Sequence, residues 1–146
     1  PVRLVHVAEV GPFEDWVLDV HVTESGRGMT ESGGPVVAVG LTNNTVEVWD
    51  WERRKCLYRI ESEERCLLYS MALIGTSTAT LMVAAGTIFQ GVLVYLAAPP
   101  PMGDSMDTDH PMDGTECASL TPAPTSHWLR GHEGSVHRVV WSGDGR

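Results

Sequence analysis

A pattern that occurs twice, 46 residues apart, constrains this chain more than any other feature. An apolar run ending in glycine, Val36-Val37-Ala38-Val39-Gly40, returns as Leu81-Met82-Val83-Ala84-Ala85-Gly86, and Trp49 after the first run returns as Tyr95 after the second. Each copy is built of short apolar runs separated by turn residues, the signature of β-strands rather than long helices. Residues 16–22 alternate with a period of two, which places Trp16, Leu18, Val20 and Val22 on a core face and turns Asp19 and His21 outward. Residues 36–41 are apolar almost throughout, as in a strand covered on both faces, and Asn43-Asn44 suits a hairpin turn with positive φ. In the next strand Val46, Val48 and Asp50 alternate with Glu47, Trp49 and Trp51, so both of its faces need cover. Residues 56–60 complete a four-stranded antiparallel meander, and residues 67–74, 80–85 and 91–96 begin a second one. Residues 2–10 read as a further short strand, closed by Gly11-Pro12. The period is close to the roughly 40 to 45 residues of one four-stranded unit in a radial repeat.

Between the second set and residue 127 the composition changes. Residues 97–126 hold six prolines, five acids and no Lys or Arg, which predicts disorder. Those five acids carry more than half of the chain's net charge of -9. The overall balance, with Lys55 the single lysine, argues against a protein that coats nucleic acid or an anionic membrane. Once the acidic segment is set aside, that argument weakens for the folded part. The most apolar window, residues 81–98, is broken by Gly86, Thr87, Gln90 and Gly91, short of the roughly 18 apolar residues of a membrane helix. Cys56, Cys66 and Cys117 are odd in number and match neither a disulfide framework nor a paired metal knuckle, so reduced thiols in a cytosolic or nuclear setting are expected, with the cytoplasm the location taken. A chain opening at Pro1, with no basic-then-apolar leader, reads as a piece of a longer protein.

No reactive constellation stands out. Glu14, Asp15 and Asp19 read as turn and strand residues rather than an acid–base pair. His127, His132 and His137 recur every five positions, which suits neither strand nor helix ligation of a metal. There is no G-x-S-x-G elbow and no glycine-rich phosphate loop, so no catalytic residue, metal, cofactor or small-molecule substrate is expected. One basic cluster exists: Arg53, Arg54, Lys55, Arg59 and Arg65, with Tyr58 interleaved and Trp51 beside it. Glu52, Glu61, Glu63 and Glu64 lie among these residues and favour a solvated, self-neutralised strand face. Contact of Arg53, Arg54 and Lys55 with RNA or an acidic partner is the competing reading.

Gly131-His132, Val136 and Trp141-Ser142-Gly143-Asp144-Gly145-Arg146 resemble the opening of a WD repeat, and Val46-Glu47-Val48-Trp49-Asp50 resembles the end of that repeat's third strand. The resemblance implies an all-β fold, a partial WD-repeat β-propeller of about two blades plus the start of a third. Its structural motif residues would be Trp49, Asp50, Gly131, His132 and Trp141. The resemblance also implies that His132 is buried, with its Asp partner beyond Arg146, and that Asn43-Asn44 replaces the usual turn Asp of the first blade. On this reading residues 1–14 end a preceding blade, 15–62 form the first blade, 63–130 the second with the disordered insertion 97–126, and 131–146 start a third.

Four phrases occur in order: Asp15-Trp16-Val17-Leu18-Asp19; Ala38-Val39-Gly40-Leu41-Thr42-Asn43-Asn44; Arg65-Cys66-Leu67-Leu68 with Ala72-Leu73-Ile74-Gly75; and Val83-Ala84-Ala85-Gly86. Over about 15–97 and again from Gly131 this is similar to the family of WD repeat-containing protein 6, large animal proteins whose yeast counterpart partners an FtsJ-like tRNA methyltransferase. Ser70-Met71 interrupts the third phrase, and the insertion is longer than the family pattern. The resemblance implies a non-catalytic scaffold in 2'-O-methylation of the tRNA wobble ribose. The alternative is an interaction adaptor propeller in signalling, trafficking or ubiquitination.

Overall fold

The computed structural model describes residues 2–25, 30, 33–62, 66–99, 117, 119–120 and 126–143. The first sheet is an antiparallel meander of β1 (Val17–Glu24), β2 (Pro35–Leu41), β3 (Thr45–Asp50) and β4 (Lys55–Glu61). The second has β5 (Leu68–Ile74), β6 (Met82–Thr87), β7 (Gly91–Leu96) and, across the insertion, β9 (His127–Arg130), again antiparallel. A two-residue strand, β8 (Ser119–Leu120), lies parallel to the outer edge of β4. The chain is therefore all-β among the described residues, with one single-turn 3₁₀ helix at Thr78–Thr80, and no sheet closes on itself. No helix among these residues is long and apolar enough to cross a membrane.

The repeat seen in the sequence is a repeat of backbone conformation. Asn44 and Gln90, 46 positions apart, both take positive φ, 64° and 65°. Each ends the three-residue loop of an equivalent hairpin, β2–β3 and β6–β7, where such loops place their last residue in the left-handed region. The first strand of each sheet carries a register shift at the same place, between Val17 and Asp19 and between Leu68 and Ser70. After each shift the pairing resumes on the repeated glycine, Asp19 with Gly40 and Ser70 with Gly86.

One core joins the sheets. Val36, Ala38, Val46, Val48, Tyr58 and Ile60 contribute one side, and Met71, Leu73, Val83, Ala85, Leu93 and Tyr95 the other. Gly40 permits this approach, because a Cβ there would collide with Met71 Sδ. Polar groups of β1 tie the same junction. Asp19 Oδ2 accepts the Leu73 N–H at 2.7 Å. The Gly75 carbonyl accepts from His21 Nε2 at 2.7 Å and from Thr23 Oγ1 at 3.0 Å. Since a carbonyl only accepts, His21 carries its proton on Nε2.

This geometry corrects the expected facing of β1 at all but Leu18, which packs against the core next to the register shift between Val17 and Asp19. Asp19 and His21 point into the junction with the second sheet, whereas Val20 and Val22 are 55% and 63% exposed and Trp16 is 81% exposed. The period of two was legible; which face meets the neighbouring sheet was not, because the neighbour supplies backbone groups that polar side chains satisfy. Residues 2–10 form no strand. Val2, Leu4, Val5 and Val7 are exposed, and a strand needs a partner for its backbone groups, which none of the described residues supplies here. The expectation of reduced thiols is also corrected, since Cys56 and Cys117 form a disulfide with Cα atoms 5.0 Å apart. The predicted disorder of 97–126 falls mostly outside the described residues. Its described part departs from the expectation that the insertion stands apart from the sheets, because β8 pairs Ser119 with Arg59 and Leu120 with Ile60.

Candidate functional site

The basic turn is organised by Asp50. Its Oδ1 accepts the backbone N–H groups of Glu52 and Arg53, each at 3.1 Å, and Arg54 closes the turn with φ 56°. The side chain of Asp50 is buried, while Arg53, Arg54 and Lys55 project outward with Glu52 beside them. Arg53 lies 3.9 Å from Asp50, half-exposed, a pair worth little in water. Trp49 packs differently, donating Nε1–H to Glu47 Oε2 at 3.0 Å and meeting the Phe13 ring edge-on at 5.8 Å.

Arg59 leaves the basic cluster for a structural role. Buried Glu47 receives it at 2.6 Å, Glu14 at 3.1 Å and Glu61 at 3.9 Å. Burial works against its charge, yet the hydrogen bonds to Glu47 and Glu14 outweigh that and hold its pKa above the usual guanidinium value. Arg65 lies outside the described residues. Among the described residues, the exposed cationic side chains of this cluster are therefore the three of the turn.

A cleft of about 320 Å³ opens between the β2–β3 turn and the segment leading into β5, lined by Glu14, Asp15 and Glu61 together with Thr42, Asn43, Cys66 and Leu67. The Thr42 side chain and the Trp16 N–H, the latter at 2.8 Å, both donate to Asp15 and lower its pKa from the ordinary carboxylate value. An acid held ionised in this way is a poor proton donor at neutral pH. Of the other two carboxylates singled out, Glu14 pairs with Arg59 and Asp19 is engaged at the sheet junction.

The histidine series does not converge. His127, His132 and His137 are exposed, and His137 stacks on Tyr69 with ring centroids 4.7 Å apart. Among the described residues no three His, Cys, Asp or Glu side chains gather as metal ligands. The buried His132 implied by the resemblance is not found, because residues 131–143 form no strand and no blade surrounds it. Asp144, Gly145 and Arg146 lie outside the described residues. Gly131 takes φ 138°, turning the chain out of β9.

Residues 135–141 then cross the open face of the second sheet in a way that repeats the first junction. Val136 N–H donates to Thr87 O at 3.0 Å, as Leu68 N–H donates to Thr42 O at 3.1 Å. Ser70 Oγ accepts the Val139 N–H at 3.1 Å, as Asp19 accepts that of Leu73. Trp141 Nε1 donates to Ala72 O at 2.9 Å. A Cβ on Gly86 would sit 2.8 Å from the Val136 carbonyl, as one on Gly40 would strike Met71. Asp19, Ser70, Val136 and Trp141 were named from the sequence but given no junction role, although a polar residue opposite a repeated glycine was visible once the strands were aligned. No family model and no curated protein matches this chain.

Proposed function

We propose that this chain is part of a WD-repeat β-propeller that acts in the cytoplasm as a non-catalytic scaffold, holding an FtsJ-like methyltransferase and its tRNA for 2'-O-methylation of the wobble ribose. The observation that carries the reading is the repeated junction: Gly40 with Asp19 receives the second sheet, and Gly86 with Ser70 receives residues 135–141. A unit that passes the same docking geometry to its successor is a building block of radial stacking. The scaffold part of the proposal rests on the ordered phrases at 15–97 and on the absence from the sequence of a nucleophile elbow or nucleotide loop. Fixing enzyme and substrate in one geometry is a sufficient physical role, because it removes much of the entropic cost of their encounter.

Mass spectrometry of anticodon-loop ribose methylation, in cells lacking the intact protein and in cells given it back, tests this reading. We expect loss of wobble 2'-O-methylation and its return. Unchanged methylation would favour the adaptor alternative. Reversing Arg53, Arg54 and Lys55 to Glu addresses the turn: lost salt-dependent tRNA affinity with partner binding retained assigns RNA to it, and unchanged affinity leaves it a solvated face.

A further inference from the structure

The Cys56–Cys117 bridge begins one residue beyond the basic turn and covalently links the first sheet to the chain that runs between strands of the second. Cys56 sits on β4, the outer strand of the first sheet, and Cys117 belongs to the connection between β7 and β9 of the second, 61 residues away. Two residues after Cys117, the β8 strand closes the outer edge of β4 through just two pairings, Arg59 with Ser119 and Ile60 with Leu120. Ordering each residue costs about 1–2 kcal/mol of backbone entropy, against a net gain of about 1 kcal/mol per hydrogen bond, so two pairings do not hold such a strand alone. The covalent bond supplies what the pairing lacks.

The reduced state is also provided for. Cys56 Sγ lies 3.6 Å from the Tyr58 carbonyl. A disulfide sulfur has no proton to donate there, but a thiol does, so opening the bridge gives Cys56 an acceptor already in place. Both cysteines are half-buried rather than sealed, which admits a small thiol reagent. Cys66 stands outside the bridge and lines the cleft.

We propose that Cys56 and Cys117 form a reversible thiol–disulfide site whose oxidation clasps the Ser119–Leu120 strand onto the outer edge of β4 and whose reduction releases it. In the reducing direction a glutathione thiolate attacks one sulfur of the bridge and forms a mixed disulfide while the other sulfur leaves and takes a proton. A second glutathione thiolate then attacks the glutathione sulfur of that mixed disulfide, giving two protein thiols and one glutathione disulfide. Two electrons and two protons pass from two glutathione molecules to the protein. The reverse reaction uses glutathione disulfide as oxidant. Release leaves the backbone groups of β4 open on that side, an edge to which another strand can add. This inference does not depend on the scaffold reading, and its test reads the cysteines rather than methylation.

The experiment equilibrates the intact protein in buffers of stepped glutathione to glutathione-disulfide ratio, alkylates free thiols, and reads Cys56, Cys66 and Cys117 by peptide mass spectrometry alongside hydrogen exchange of residues 55–61. Cys56 and Cys117 should lose alkylation together in one two-electron step. Exchange in β4 should slow by about tenfold in the oxidised form, equivalent to ~1.4 kcal/mol of local stabilisation. Cys117→Ser should abolish the protection of Cys56 and the slowing while leaving Cys66 as it was, and Cys117→Ala should do the same. Independent titration of the two thiols, pairing of Cys56 with Cys66 or with another chain, or identical β4 exchange in both redox states would each overturn the proposal.

Discussion

Asp19 accepts the Leu73 N–H with one carboxylate oxygen and the Val20 N–H with the other, at 2.7 and 2.9 Å, so Asp19→Ala leaves a donor of the β5 edge strand unsatisfied at the sheet junction. Such a loss costs about 1–3 kcal/mol, and Asp19→Asn, which keeps an acceptor, should cost less; chemical denaturation of the variants measures both. Two buried tyrosines make an opposed pair. Tyr95 donates its hydroxyl to Asn44 Oδ1 at 3.0 Å, tying β7 to the first sheet's hairpin, whereas the Tyr58 hydroxyl is buried with no partner among the described residues. Tyr95→Phe should therefore destabilise by about 1–2 kcal/mol, and Tyr58→Phe should be neutral or stabilising in the same assay. Burial pushes both phenols above their usual range, with the Cys66 charge adding to the effect at Tyr95. A folded-state pKa raised above the unfolded value gives stability that is complete below about pH 10 and is lost as pH rises beyond it. Thermal melts from pH 8 to 11 should fall steeply at the alkaline end, and the double Phe variant should flatten that fall.

At the scale of elements, the repeated glycines predict unequal outcomes. In Gly40→Ala the clash is with the flexible end of Met71, which can rotate away; in Gly86→Ala it is with the backbone carbonyl of Val136, which cannot move without the segment. Gly86→Ala should cost about 1–3 kcal/mol and speed hydrogen exchange at Val136, whose N–H is bonded to Thr87 O, while Gly40→Ala should cost less. The hairpins, their period and the positive-φ position at Asn44 were legible because turn chemistry is local and each repeat carries its own copy. The facing of β1 was not, because alternation tells that two faces differ but leaves open whether Val20 or Asp19 meets the neighbour. The fourth strand of the second sheet was legible too: residues 63–130 were read as one unit with the insertion inside it, and β9 pairs with β7 beyond that insertion. The pairing of Cys56 with Cys117 was illegible, because a spacing of 61 residues carries no geometry until β8 is placed against β4. Among site residues, Asp50 and Trp49 were named from their phrase, and in the structure they shape the basic turn and hold Glu47.

Across the whole molecule the two sheets present unlike ends. The second sheet's open face is crossed by residues 135–141, but the first sheet's equivalent of the buried Met71 and Leu73 is the exposed pair Val20 and Val22. Exposed apolar groups on an unpaired edge strand are adhesive. This segment alone should therefore self-associate as its concentration rises, and light scattering should show less of it when Val20 and Val22 are both replaced by Thr. In the proposed propeller a neighbouring blade would cover that face and leave the remaining surfaces for partners. The scaffold account is tested most directly by reconstitution: the purified intact protein, an FtsJ-like methyltransferase, a tRNA with an unmodified wobble ribose and S-adenosylmethionine, with methyl transfer measured for each protein alone and for both together. The account predicts no transfer by this protein alone and a marked increase when it joins the methyltransferase. Methyl transfer by this protein alone, or no change on adding it to the enzyme, would contradict it.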